Sequence, residues 1–553
     1  MSVPSRDAAL EHASDVYSTT EIEAFKQAGL WRDRLVFDYL HEHARLQGDK
    51  TAVVAGEVRI TWIELANSVD RLAAGFVRLG LLPGDFVAVQ LPNTIEFVQT
   101  YLAVQRAGLR AVTLMPLYRE QDVTYMLARC NARAYVVPRT YRAFDYVSLA
   151  ASVRTGLPHL DSVIVADVDA PEGTVSLHDL LTTVPLSDDE YLALRPDPDS
   201  ASKVSFTSGT TGRPKGVVHT HNTDMVTPCL LVEALGMTAD TPLWMPSPVA
   251  HVTGLIFGLY PAMVAGAKLV LQDRWDPEVA LDLISRERAV LTVSATPFIA
   301  GMLDVHEPGR FDLSSFKYFV SGGARVPPHL VERARSELGI HLLRAFGGAE
   351  APLHALNPPD APWEKLTGRD GRTFSQVENR VVDPEDHTAV LATGVVGEYC
   401  SRGAHVFLGY LDDPELTREV RDEDGWFYSG DLCQIDDEGY VLYVDRIKDI
   451  VNRGGVKISA LEVENELLTH PDVLRAAVVA VPDDVLGERS CAYVTVKDGE
   501  TLNLEQLQAH LEGRGVTTQK WPEYLRVVDA LPMTATGKVL KAQLRMAHAS
   551  SVL

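Results

Sequence analysis

Val204–Thr220 reads V-S-F-T-S-G-T-T-G-R-P-K-G-V-V-H-T. Thr207, Ser208, Gly209, Thr210, Thr211, Gly212 and Lys215 crowd together there, with apolar residues on either side. Hydroxyls and backbone N–H groups bind phosphate oxygens, glycine lets backbone approach closely, and a lysine adds a point charge. The stretch is a candidate phosphate cradle. It departs from the Gly-Lys-Ser/Thr phosphate loop, because Pro214 precedes Lys215 and Gly216 follows it. Read from composition alone, the same residues also make a surface hairpin turn.

The chain around this stretch is long enough for several domains. Its 553 residues are 46% hydrophobic, and mean hydropathy is near zero, so large cores can form. A net charge of −24 argues against non-specific nucleic-acid binding and against docking on anionic membranes. It leaves room for a polyanionic small ligand held by a local basic patch. Cys130, Cys229, Cys400, Cys433 and Cys491 are scattered, which suits a reducing compartment and neither zinc nor a disulfide framework. The start M-S-V-P-S-R-D lacks a signal pattern, and the apolar run 254–267 is too short to span a bilayer. A cytoplasmic protein without a membrane span is expected.

From Ala52 strand and helix patterns alternate. Thr61 and Glu64 form a capping box, after which Leu65, Val69, Leu72, Phe76 and Leu79 recur at helical spacing until Gly80. Residues 86–91, 112–115 and 135–137 read as strands, Asn93 with Glu96 as the cap of a helix, and 183–202 as a linker. Further strands are expected at 268–271, 290–293 and 318–320. The alternation implies an α/β fold with mostly parallel sheets. Near Asp445 the composition shifts to a compact unit with a helix at 461–468 and strands at 476–481 and 492–496. We therefore expect a large N-terminal domain of α/β subdomains, residues 1–445, and a small α+β C-terminal domain, residues 446–553.

S-F-T-S-G-T-T-G-R-P-K-G resembles the signature loop of the adenylate-forming superfamily of acyl-CoA synthetases, luciferases and nonribosomal adenylation domains. The resemblance continues in order along nearly the whole chain. Ser321-Gly322-Gly323-Ala324 is similar to the family's adenine-side turn. Phe346-Gly347-Gly348-Ala349-Glu350 is similar to its aromatic-Gly-x-Thr-Glu loop, with Ala349 in place of threonine. The resemblance makes Glu350 and Thr207 the Mg²⁺ ligands, an assignment suited to hard oxygen donors. Asp431 in W-F-Y-S-G-D and Arg446 would bind the ribose, and Lys448 would be the hinge of a mobile C-terminal domain. Gly454, Gly455 and Lys457 would lie on the loop lining the thiol tunnel, and Lys538 would be the catalytic lysine. His251 in P-S-P-V-A-H-V-T-G matches a histidine gating the acyl site; by itself, a lone histidine in an apolar run is a structural residue.

The resemblance implies ATP, Mg²⁺ and CoA as cofactors, a small carboxylic acid as substrate, and a monomer or homodimer. The run 250–254 holds no carboxylate to pair an α-ammonium, which disfavours an amino-acid substrate. G-L-W-R-D-R, L-Q-D-R-W-D-P and T-V-S-A-T-P-F are similar to cyclohexanecarboxylate–CoA ligases and short- and medium-chain acyl-CoA synthetases. The C-terminal N-R-G-G-V-K and L-G-E-R-S-C also resemble dihydroxybenzoate–AMP ligases, which load an acyl or aryl carrier protein. That branch usually has Asn where Val252 stands here. A luciferase-like oxygenase and a non-catalytic nucleotide-binding relic are the rival readings. Retention of Lys215, Glu350, Asp431, Arg446 and Lys538 speaks against the relic.

Overall fold

The helix Trp62–Arg78 shows how local sequence sets the architecture. The Thr61 hydroxyl accepts from the Glu64 amide at 3.3 Å, and the Glu64 carboxylate accepts from the Thr61 amide at 2.9 Å. Two orphan donors of the first turn are thereby satisfied. Leu65, Val69, Leu72 and Phe76 then face the core, all fully buried. In the computed structural model, residues 11–207, 214–323, 326–483, 485–533 and 539–551 are described.

The chain divides into two units. The first comprises residues up to Thr207, Pro214–Glu378 and Ser401–Phe427. It holds an eight-stranded sheet in which Ala201–Thr207, Arg110–Thr113, Phe86–Val89, Ala134–Pro138 and Ser162–Ala166 run parallel as neighbours. Lys215–Thr220 returns antiparallel to Ala201–Thr207, and Gly409–Tyr410 adds an antiparallel edge. A nine-stranded sheet is parallel through Thr51–Ala55, Leu269–Leu271, Leu243–Met245, Leu291–Ser294, Tyr318–Gly322 and His341–Phe346. Strands such as Ala134–Pro138 are buried throughout, as expected where helices cover both faces of a parallel sheet.

The second unit comprises Asn379–Cys400 and Tyr428–Leu553. Its five-stranded sheet is built on a long antiparallel pair, Val473–Asp483 with Gly487–Val496. Val478 packs in one core with Val463, Leu467, Leu507 and Leu511; its neighbours Ala477 and Val479 pack in another with Leu531 and Leu544. Covering both faces explains why 476–481 is apolar without alternation. The helix foreseen at 461–468 is Ala460–Leu467.

Three details depart from the sequence expectations. Asn93 does not cap the helix Ile95–Arg106, whose cap is Thr94 without a side-chain bond. Asn93 instead donates to the Ser247 and Gln272 carbonyls and accepts from the Val249 amide, tying the two sheet systems of the first unit together. The stretch 183–202 contains a helix, Asp188–Leu194, started by a Ser187/Glu190 capping box that its Pro- and Asp-rich flanks obscure. The composition shift near 445 falls inside the second unit, because the ladder Asp431↔Arg446, Leu432↔Asp445 carries the chain across it.

Candidate active site

Thr207 and Lys215 are the cross-strand pair next to the signature loop, so the backbone register sets the two ends of that loop opposite each other. The Lys215 ammonium lies 5.1 Å from the centroid of the Tyr410 ring. The Tyr410 hydroxyl donates to Glu350 Oε1 at 2.8 Å. One side chain thus touches both the lysine and the carboxylate to which the sequence assigns phosphate and metal. No salt bridge joins Lys215 and Glu350 within 4 Å among the described residues. Tyr410 itself is 60 residues from Glu350 and was not singled out in the sequence. Only folding of the Gly409–Tyr410 edge against Lys215–Thr220 brings it there.

Beneath the hairpin lies a polar network that no motif in the sequence marks. Lys203 is ion-paired with Asp224, and the Ser202 hydroxyl donates to Asp224 Oδ2 at 2.6 Å. Both charged side chains are at most 1% exposed. Next to them, His219 is fully enclosed, and burial followed by the Lys203 charge pushes its pKa down to about 4. The ring is therefore neutral at pH 7. Its Nε2 sits 2.9 Å from the Ala349 carbonyl, which can only accept, so Nε2 carries the proton and Nδ1 faces the Thr223 hydroxyl at 3.0 Å. His219 thus anchors the residue immediately before Glu350 to the strand that carries Lys215.

The loop Phe346–Glu350 starts where the strand His341–Phe346 ends, and Gly322–Gly323 ends the neighbouring parallel strand in register Gly322↔Ala345. Adjacent carboxyl ends of parallel strands are where open α/β sheets bind ligands. Structure therefore brings together Gly322, Gly323, Phe346, Gly347, Ala349 and Glu350. Gly347 is required by close approach: a Cβ there would lie 2.1 Å from the Pro352 carbonyl oxygen. Gly347→Ala should lower unfolding stability by about 1–3 kcal/mol, read as a reduced urea midpoint.

His251 occupies the N-cap of a short helical turn, Val252–Gly254, its Nδ1 accepting from the Thr253 amide at 3.2 Å. A π-helical turn, Leu255–Leu259, follows, a form that frequents functional sites. A helix-capping bond therefore belongs to this histidine beside the gating role the sequence suggested.

In the second unit, Asp431 and Arg446 are cross-strand partners joined by a 3.0 Å ion pair from Nε to Oδ1. Asp431 is 8% exposed, whereas the Arg446 side chain reaches solvent. The adjacent Asp445 accepts from the Ser459 hydroxyl and the Leu461 amide, fixing the helix that follows. Lys448 is exposed in a single 3₁₀ turn, Ile447–Asp449, and its carbonyl accepts from Arg545 at 3.2 Å. Gly454 and Gly455, with φ of 59° and 87°, form the two-residue loop of a hairpin in which Arg453 opposes Val456. Two positive φ values are what a type I′ turn demands and glycine supplies. Lys457 pairs on the surface with Glu385 at 2.8 Å.

Ser208, Gly209, Thr210, Thr211, Gly212, Ala324 and Lys538 lie outside the described residues. Among those described, the Glu350 carboxylate and the Thr207 hydroxyl offer hard oxygen donors, and Tyr410 engages Glu350 through a single oxygen. That chemistry fits Mg²⁺.

A family model described as "AMP-binding enzyme" matches residues 40–411, and one described as "AMP-binding enzyme C-terminal domain" matches residues 462–538. The chain is 38% identical to the medium-chain fatty-acid–CoA ligase of Escherichia coli, over 94% of this chain and 92% of that protein. It is 34% identical to the 2,3-dihydroxybenzoate–AMP ligase of Bacillus subtilis, over 96% and 97%. The structure of an anthranilate CoA ligase in complex with anthranoyl-AMP superposes with a TM-score of 0.83 at 24% identity, covering 98% of this chain and 100% of that one. No helix among the described residues is long and apolar enough to cross a membrane. An antiparallel pair flanking the signature loop, a carboxylate loop at parallel strand ends and matches over most of the chain lead to one conclusion: this chain belongs to the AMP-binding, adenylate-forming enzymes, which activate an acid with ATP.

Proposed function

We propose that this enzyme is an acid–thiol ligase that activates an alicyclic or short- to medium-chain carboxylic acid and passes the acyl group to CoA. A carboxylate oxygen attacks the α-phosphorus of ATP, the bond to pyrophosphate breaks, and an acyl-adenylate remains. The CoA thiol then attacks the acyl carbonyl and AMP leaves. Lys215 and the hydroxyls and amides of Thr207–Gly212 hold the phosphates, and Lys538 neutralises charge as the α-phosphorus becomes five-coordinate. Mg²⁺, held by Glu350 and Thr207, supplies further charge neutralisation when bound. Gly322, Gly323, Ala324, Phe346, Gly347 and Ala349 serve the adenine and adenylate side, and Asp431 with Arg446 the ribose. His251 gates the acyl site. For the thiol step, residues from 446 onward move about Lys448 and present Gly454, Gly455 and Lys457 to the thiol arm.

The observation that carries this reading is Tyr410 joining Lys215 and Glu350, an intact phosphate- and metal-side pair that a relic has no need to keep. The identity to the fatty-acid–CoA ligase and the absence of a carboxylate from 250–254 support the acid class. A second reading, an aryl-acid ligase that loads a carrier protein, is favoured by the likeness to the dihydroxybenzoate ligase; Val252 counts against it.

Pyrophosphate release across a panel of cyclohexanecarboxylate, hexanoate, octanoate, benzoate, 2,3-dihydroxybenzoate and phenylalanine, with and without CoA, separates them. We expect multiple turnovers only with CoA and an alicyclic or medium-chain acid, and a loss of at least about a hundredfold in Lys538→Ala. Stoichiometric aryl-adenylate that CoA cannot discharge would move the enzyme to carrier loading. No pyrophosphate with any acid would overturn both.

A further inference from the structure

We infer that Tyr410 is a positioning residue that keeps the Lys215 ammonium and the Glu350 carboxylate apart and aimed, one for phosphate and one for metal. The inference rests on the proposed roles of these two groups. Lys215 and Glu350 carry opposite charges and approach the same ring, yet form no salt bridge with each other. A tyrosine offers each what it seeks: the negative face of the ring to the cation and an O–H to the anion. Joined directly, the two charges would satisfy each other and both would have to be separated before binding a nucleotide and its metal.

The tyrosine is itself held firmly. Its backbone pairs with Val217 in the strand that carries Lys215, and its amide donates to the Thr417 hydroxyl at 2.9 Å. Its ring meets Phe407 edge-on at 5.1 Å, in a buried cluster with Val217, Ala351 and Val406. The Phe407 amide also donates to the Glu350 carbonyl at 2.8 Å, so the tyrosine and the carboxylate loop are braced by one element. Groups that orient a metal-binding carboxylate typically change metal affinity ten- to a hundredfold when removed.

Mn²⁺ binding, measured by the electron paramagnetic resonance of the free ion with a non-hydrolysable ATP analogue present, tests this, alongside calorimetric affinity for the analogue and thermal midpoints. Tyr410→Phe keeps the ring face and loses the hydroxyl. We expect about tenfold weaker Mn²⁺ binding with nucleotide affinity within about twofold of the parent. Tyr410→Leu should weaken both. Glu350→Gln combined with Tyr410→Phe should bind Mn²⁺ no worse than Glu350→Gln alone, because the tyrosine acts through the carboxylate. Parent-like Mn²⁺ binding by Tyr410→Phe, or additive losses in the double variant, would overturn the positioning role while leaving the adenylation reading standing. A parent protein that binds neither nucleotide nor Mn²⁺ would overturn the site reading itself. Should Tyr410→Leu fail to fold, Tyr410→Phe and the double variant still decide.

Discussion

Asp224→Ala should destabilise the enzyme by about 3–5 kcal/mol, the largest single-site loss we expect away from the reacting groups. The substitution strands the Lys203 ammonium, whose side chain is 1% exposed, without its counter-charge and leaves the Ser202 hydroxyl only its longer, 3.2 Å bond to the His219 carbonyl. Water cannot take over either role at that depth, so the desolvation cost is no longer offset. Replacing both partners by apolar residues of similar volume, Lys203→Met with Asp224→Leu, removes the unpaired charge and should recover most of the loss. Urea unfolding of the two variants beside the parent checks this. An Asp224→Ala midpoint within about 1 kcal/mol of the parent would show that the pair is not the buttress described.

Acid should unfold the protein steeply from pH 6.5 downward. Burial holds His219 and His221 near a pKa of about 4 and His405 near about 3, and drives His354 well below the ordinary imidazole value. In the unfolded chain each titrates near 6.5. Above that value both states are neutral and full stability is present; below it only the unfolded chain takes up protons, until the folded pKa is reached. Each histidine then costs about 1.4 kcal/mol per pH unit, and four together about 5 kcal/mol per unit between pH 6 and 4.5. Among the described residues, neither ring nitrogen of His405 has a hydrogen-bond partner. His405→Leu therefore removes a titrating group without breaking a hydrogen bond and should flatten the slope by about a quarter. Urea midpoints measured from pH 7.5 to 5 decide it; a flat profile would refute the account.

Local chemistry carried much of the architecture. The Thr61/Glu64 box and the stripe through Phe76 appear as read, because a helix start depends on neighbours three residues away. The strands near 268–271, 290–293 and 318–320 were visible as apolar runs, and their central residues are buried. Motif order also located the strand-end loops at Gly322 and Glu350. What stayed hidden depends on distant residues meeting. Lys203 and Asp224 look like ordinary surface charges in a string, and only the return of the chain after the hairpin makes them a buried pair. Asn93 sits at a capping position, yet carbonyls more than 150 residues away compete for its amide. Tyr410 carries no motif of its own and gains its partners from an edge strand of two residues.

Among the described residues, the second unit draws on two separate stretches, 379–400 and 428 onward. Anyone grafting a C-terminal domain from a relative to change acceptor preference would naturally cut near 445. A junction there leaves Asp431 from the host facing Arg446 from the donor, and divides the strand Val441–Arg446 between two parents. Modular exchange in this enzyme therefore calls for transplanting both stretches together, so that each chimera inherits the paired Asp431 and Arg446 from a single ancestor.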